Sequence, residues 1–335
     1  MANPVSLPDN TPTPEASRQD QGLFRNHAPV QREGLRKMLR IMWNMIFHKP
    51  RDTRPAAAIP VQPLTREDLL AAPNHSVYRL GHSTLLLKLR DKFWITDPVF
   101  AERASPVQWA GPKRFHQPPI SIDELPPIEA VILSHNHYDH LDQESVRTLA
   151  EQPGGSPRFY VPLGLKDWFA RRGITDVVEM DWWESANFAG LTIDFVPVQH
   201  WSKRTLSDEN QSLWGGWVIR HPELSFFFAG DTGYSRDFAD IGAKFGGFDV
   251  AAIPIGAYAP RWFMQIMHLD PSEAIRVHQD VGARQSLAIH WGTFANLTDE
   301  SLYEPPQRLA EELKRTELSE RDFFVLKHGE TRVLR

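Results

Sequence analysis

Three imidazoles and one carboxylate fall within six residues, at His135, His137, Asp139 and His140. Alternate residues of an extended backbone share a face, so a strand would aim His135 and His137 to one side, where two ring nitrogens suit a metal such as zinc. Asp139 and His140 then need a turn. If the chain turns there, their side chains reach a second position beside the first, and His-x-His-x-Asp-His becomes half of a two-metal site. The plain alternative is a set of polar loop residues after a core strand, but this pattern is far more specific than a lone His-x-His.

The flanking segments are those such a site needs. Val131, Ile132 and Leu133 form an apolar run fit for a buried strand, and residues 143–149 have helical character with Asp142 placed as N-cap. Strands are expected at 84–89 and 93–96, a hairpin joined by Arg90-Asp91-Lys92. Others are expected at 130–133, 159–161, 191–198, 217–219, 224–228, 250–255, 286–289 and 323–326. Helical patterns cover 164–172, 236–245, 271–281 and 306–314, the last two opening on proline. Three strands lead to a metal-capable residue: 191–198 to His200, 224–228 to Asp231 and 286–289 to His290. Each alone is more often a cap or a satisfied polar group. Together with the four motif residues they make seven ligands, enough for two metals bridged by one carboxylate.

A chain of 335 residues with 41% hydrophobic content can bury a substantial core in one large domain or two. Its net charge of -5 leaves no electrostatic footprint for nucleic acid. Cysteine is absent, so a metal has to be held by His and Asp, and no disulfide forms. Eleven tryptophans suit places that are part apolar and part wet, as well as core packing. Residues 1–33, polar and proline-rich, are expected to be a disordered tail. From 34 to 49, Leu35, Met38, Leu39, Met42 and Ile46 repeat at helical spacing against Arg36, Lys37 and Arg40. This predicts an amphipathic helix that rests on an anionic membrane or packs on the protein's own body or a second subunit. A Pro- and Ala-rich linker completes residues 34–63, and the domain proper occupies 64–335. No segment reads as a secretory signal or is long enough to span a membrane.

The pattern resembles the metallo-β-lactamase superfamily, with Asp97 after an early strand, the His-x-His-x-Asp-His core, then His200, Asp231 and His290. Within it, the chain is similar to the N-acyl-phosphatidylethanolamine-hydrolysing phospholipase D family. Segments that carry this similarity include Leu80-Gly81-His82, Gly111-Pro112-Lys113-Arg114-Phe115, Asp181-Trp182-Trp183-Glu184 and Gln199-His200-Trp201. It continues through Phe228-Ala229-Gly230-Asp231-Thr232-Gly233-Tyr234, Pro260-Arg261-Trp262-Phe263-Met264 with His268, and Ala288-Ile289-His290-Trp291-Gly292-Thr293-Phe294. The similarity runs from about Val77 to the C-terminus. Departures fall at Ser202, where the mammalian form has cysteine, and at Met267, where a polar residue is expected.

The resemblance implies an α/β architecture: an αββα metallo-β-lactamase sandwich with a disordered or helical N-terminal extension and a site at one edge of the sheets. It implies two zinc ions, although manganese or iron would accept much of the same set. The implied reaction is hydrolysis of N-acyl-phosphatidylethanolamine to N-acylethanolamine and phosphatidic acid. In that frame His135, His137 and His200 hold one zinc, Asp139, His140 and His290 the other, and Asp231 bridges them. Asp97 is placed behind the ligands, accepting a histidine's second N–H, with a turn role before Pro98 as its alternative. His82, Tyr138 and Met267 are further candidates near the ligands or substrate. His268 and Asp139 are assigned to the catalytic step, His268 acting on the substrate phosphate or leaving group, with capping of the helix from Pro271 as its structural alternative. The implied setting is a cytoplasmic, peripherally membrane-associated homodimer acting on a lipid at a membrane surface. Competing readings are a lactonase or phosphodiesterase of the same fold acting on a soluble substrate, and a non-enzymatic scaffold docked on membranes through residues 34–49.

Overall fold

Alternate side chains along the first half of the chain go to two different cores. Val77, Leu85, Leu87, Trp94, Ala130, Ile132 and Tyr160 enter the apolar layer between two sheets. Their neighbours Tyr78, Leu86, Phe93, Ile95, Val131, Leu133 and Phe159 enter a second layer with Leu69, Val146, Leu149 and Phe169 from outer helices. The period-two geometry of a strand makes this division, and burial on both faces explains why the segments read as continuous apolar runs.

The computed structural model describes residues 15–29, 53, 55 and 57–334. A short hairpin, β1 (Arg18–Asp20) and β2 (Leu23–Arg25), comes first. The first half of the domain supplies β3 (Ser76–Gly81), β4 (Thr84–Leu89), β5 (Lys92–Thr96), β6 (Ile128–Ile132), β7 (Arg158–Pro162) and β8 (Val177–Met180). The second half supplies β9 (Ser185–Phe188), β10 (Leu191–Val196), β11 (Gly216–His221), β12 (Leu224–Phe228), β13 (Phe248–Pro254), β14 (Ala283–Ile289) and β15 (Phe323–Phe324). The last strand, β16 (Thr331–Val333), returns to pair with β3. The two sheets run β16-β3-β4-β5-β6-β7-β8 and β15-β14-β13-β12-β11-β10-β9. Each is antiparallel in one half and parallel in the other. Phe238, Ile241, Ala274, Val277, Leu309 and Leu313 bring three helices against the second sheet, which completes the αββα sandwich.

The β4–β5 connection is tighter than a three-residue joint. Leu89 pairs with Lys92, so only Arg90 and Asp91 form the turn, both at positive φ, as a two-residue hairpin turn of matching twist requires. The expected helix over 164–172 shortens to Lys166–Ala170, and the expected strand over 323–326 to Phe323–Phe324.

Residues 15–29 correct the expectation of a disordered tail over 1–33 and of an extension that is only disordered or helical. Phe24 is 2% exposed within the inter-sheet core, its N–H donates to Asn210 O at 2.8 Å, and the Ser17 N–H donates to Asp181 Oδ1 at 3.2 Å. One buried aromatic and a few directed hydrogen bonds anchor a stretch whose average composition is tail-like. The helix expected over 34–49 lies outside the described residues. Among the described residues no helix is long and apolar enough to cross a membrane.

Candidate metal centre

Six strand ends open on one edge of the sandwich. His82 follows β3, Asp97 follows β5, the stretch from Ser134 to His140 follows β6, His200 comes after β10, Asp231 after β12 and His290 after β14. The pairings make β3, β5 and β6 point one way in the first sheet and β10, β12 and β14 one way in the second, and the meeting of their following residues puts both sets of carboxyl ends at the same edge, the usual place for a ligand in such sheets. Three of the residues leave their strands with left-handed backbone: His82 at φ +49°, Asp97 at +34° and His290 at +60°. That conformation costs on the order of 1–3 kcal/mol for a non-glycine residue and turns each side chain sharply back into the edge. At Gly230, φ +62°, a Cβ would stand 2.6 Å from Ser134 Cβ, so glycine is needed beside the motif.

The donor atoms form two overlapping sets. In the first, His135 Nε2 is 2.8 Å from His137 Nδ1, and His200 Nε2 is 3.3 Å from the same atom. In the second, Asp139 Oδ2 is 3.7 Å from His140 Nε2 and 3.6 Å from His290 Nε2. Asp231 stands between them, its Oδ2 3.1 Å from His140 Nε2, 3.0 Å from His290 Nε2 and 3.8 Å from His200 Nε2. Ligands of a tetrahedral zinc, at about 2.0–2.2 Å from the ion, lie about 3.3–3.6 Å from one another. Buried His140 Nε2, His290 Nε2 and Asp231 Oδ1 have no hydrogen-bond partner. An orphaned buried polar atom costs about 1–3 kcal/mol, which ligation would remove, so the donor set fits a metal pair.

Behind these atoms a second set of contacts fixes the rings. Asp97, fully buried, accepts from the Ser134 N–H at 2.7 Å and Oγ at 2.6 Å, and its Oδ2 lies 2.6 Å from His140 Nδ1. Ser134 Oγ is also 2.9 Å from His135 Nδ1. His200 Nδ1 donates to the Met267 carbonyl at 3.0 Å. His82 Nε2 lies 3.1 Å from Asp139 Oδ2.

Electrostatics divide the cluster. Burial pushes His135 and His200 well below the ordinary imidazole value, and His137 and His268 down to about 4. For His140 and His290 burial works the same way, but Asp231 heads a carboxylate pull that overrides it, raising His290 to about 9 and His140 well above its ordinary value. Burial also opposes ionisation of Asp139 and Asp231, yet His140 and its neighbours hold both well below the usual carboxylate range. Ionised carboxylates and neutral imidazoles are the ligand-ready forms.

A cavity of about 560 Å³ opens over the cluster, with His137, Asp139, Asp231, His268 and His290 at its floor and Trp201, Arg204, Leu206 and Met264 in its walls. His268 Nδ1 is 3.9 Å from Asp231 Oδ2, farther than His140 or His290, and has no hydrogen-bond partner. It does not cap the following helix: Asp270 does, accepting from the Glu273 N–H at 3.0 Å. Tyr138 stands outside the cavity, where its hydroxyl donates to Arg204 O and its ring lies 4.0 Å beneath the Arg204 guanidinium. Met267 reaches the cluster through its carbonyl, so the polarity of its side chain is not what this contact uses. Ser134, Arg204 and Asn26 were not legible as site residues. Ser134 carries a faint signal, since it immediately precedes the motif, whereas nothing in the N-terminal composition marks Asn26.

Two facing mixed sheets with a His/Asp cluster at their converging strand ends define a metal-dependent hydrolase of the metallo-β-lactamase type, and the Beta-lactamase superfamily domain matches residues 94–291. N-acyl-phosphatidylethanolamine-hydrolyzing phospholipase D 1 of Caenorhabditis elegans is 39% identical over 313 residues, covering 89% of this chain and 88% of that one. The mitochondrial N-acyl-phosphatidylethanolamine-hydrolyzing phospholipase D of Saccharomyces cerevisiae is 38% identical over 222 residues, covering 64% of this chain and 47% of that one. The chain belongs to the N-acyl-phosphatidylethanolamine-hydrolysing phospholipase D family of the metallo-β-lactamase superfamily. Among solved structures, a possible metal-dependent hydrolase from Veillonella parvula shares the fold at a TM-score of 0.62 and 20% identity, over 78% of this chain and 100% of that one.

Proposed function

We propose that this chain is a di-zinc phosphodiesterase of the phospholipase D type that converts N-acyl-phosphatidylethanolamine to N-acylethanolamine and phosphatidic acid. The observation that carries the reading is the meeting of two donor sets at Asp231 on the floor of a cavity walled by Trp201, Leu206 and Met264. That combination suits a phosphodiester with apolar groups attached. In this assignment His135, His137 and His200 would hold one zinc and Asp139, His140 and His290 the other, with Asp231 placed to serve both. A metal pair held there would supply Lewis-acid stabilisation of the phosphoryl oxygens and a water acidic enough to react at neutral pH.

The chain's own groups do the rest. Asp97 and Ser134 fix the orientation of the His140 and His135 rings, so their Nε2 atoms face the cluster before any metal binds. His82 holds the Asp139 carboxylate. His268 stands off Asp231 at the cavity floor, where its ring can hydrogen-bond a phosphate oxygen or deliver a proton to the departing ethanolamide alkoxide. Water oxygen joins phosphorus, the phosphorus–oxygen bond to the ethanolamine side breaks, and the proton ends on the alcohol released.

A membrane surface and a homodimer belong to the same reading. Leu206, 99% exposed, stands at the cavity mouth as an apolar group that a bilayer would cover. The test is the purified protein, with its metals counted, offered an N-acyl-phosphatidylethanolamine, a cyclic lactone and a soluble phosphodiester. Release of N-acylethanolamine in clear preference to turnover of the other two is expected, and preference for either soluble compound refutes the assignment. Vesicle sedimentation and light scattering check membrane and dimer.

A further inference from the structure

The far edge of the sandwich holds a second set of metal-capable side chains. His75 precedes β3, whose six residues lead to His82 at the centre. His221 ends β11, and Glu223 sits in the two-residue turn to β12, which leads to Asp231. At about 3.3 Å per strand residue, the two clusters are about 20 Å apart. His75 belongs to the sheet built by the first half of the chain and the other two residues to the opposite sheet, so the set spans the gap between sheets.

His75 Nε2 lies 3.7 Å from a Glu223 carboxylate oxygen, and one ligand atom from each of the three residues is within 4.8 Å of the others. The Glu223 N–H donates to His221 Nδ1 at the long distance of 3.3 Å, so Nδ1 carries the ring's lone pair, and a metal would take that lone pair in place of this contact. His75 holds φ +66°, an uncommon value for a residue with a side chain. Its peptide is pinned there, the N–H donating to Lys88 O at 2.7 Å and the carbonyl accepting from the Leu334 N–H at 2.8 Å. A small gap lined by Leu89, Leu191, Ile219 and Phe226 lies beside the two rings. Arg90, the cation at its edge, directs its guanidinium to Gly190 O.

We infer that His75, His221 and Glu223 form a further metal site, for a zinc-type divalent cation, which ties the two sheets together at the edge away from the chemistry. Two imidazoles and one carboxylate suit zinc, and the half-exposed position leaves the fourth place to water. Tetrahedral ligand atoms stand about 3.3–3.6 Å apart, so side-chain rotations of about an ångström, with Glu223 70% exposed and free to turn, draw the three ligand atoms together. No residue is shared with the cluster around Asp231, so this site is independent of the proposed reaction.

The experiment titrates the metal-loaded protein with zinc chloride by calorimetry and follows its melting temperature over the same range. One additional equivalent that raises the melting temperature is expected. It should vanish in Glu223→Gln and in His75→Asn, while turnover without added zinc stays within about twofold of the parent. Glutamine preserves size at an exposed position and asparagine tolerates left-handed backbone, so both variants keep the fold. Absence of the additional equivalent, or its survival unchanged in either variant, overturns the inference.

Discussion

Asn26 holds the peptide of His200 on both sides. Its Nδ2 donates to the His200 carbonyl at 2.9 Å, and its Oδ1 accepts from the His200 N–H and from Trp214 Nε1, each at 3.1 Å. A side chain 174 positions upstream thus fixes the backbone of a cluster histidine whose ring is held separately by Met267. Asn26→Ala strands buried groups at about 1–3 kcal/mol each. The expected outcome is a lower melting temperature and preferential loss of metal from the His135, His137 and His200 half. Stepwise chelator competition reads this, and simultaneous release of both metals as in the parent protein would contradict it.

Asp97→Asn keeps the shape and removes the charge that faces His140 Nδ1 and Ser134. Loss of such a partner typically costs about 10–100-fold in metal affinity or activity. Metal content after dialysis should therefore fall in Asp97→Asn more than in Ser134→Ala, which leaves the carboxylate in place. Equal retention in both variants would assign Asp97 to the turn before Pro98 alone.

His268→Ala should lower turnover by about 10²–10⁴-fold while two metals and the melting temperature are retained. The ring lies within reach of His200 and Asp231 as a possible ligand, so the metal count is the deciding measurement. Loss of a metal together with activity would make His268 a ligand and end its assignment to the substrate.

Docking of the N-terminal hairpin should weaken at alkaline pH. His27 Nδ1 is 2.7 Å from Asp237 Oδ1, and this hydrogen bond raises the His27 pKa above its ordinary 6.5 against the opposing effect of burial. A folded-state value above the unfolded one means the contribution is complete below pH about 6.5 and is lost as pH rises through the folded value. Hydrogen exchange over residues 15–29, corrected for intrinsic rates, should be slower at pH 6 than at pH 9. His27→Gln should flatten the profile; a parent protein with no pH dependence would refute the role of this pair.

Much of the centre was legible because its chemistry is local or follows a local rule. Four of the proposed ligands sit in one six-residue motif, and His200, Asp231 and His290 each come after an apolar run, so alternation and strand ends sufficed to gather them. The division of the core into two apolar layers was not legible, because a continuous apolar run does not say which side chains face which layer. Strands β3 and β16 were not: three residues at Thr331–Val333 have no period to read, and they become a strand because β3 presents an open edge across more than 250 residues of chain. The contact of Asn26 with His200 likewise has no local correlate, since a single asparagine in a polar segment satisfies the same composition whether docked or free. Met267 illustrates the limit most plainly: its part in the site is a carbonyl that every residue type carries, so only the tertiary path of the backbone decides that His200 meets it.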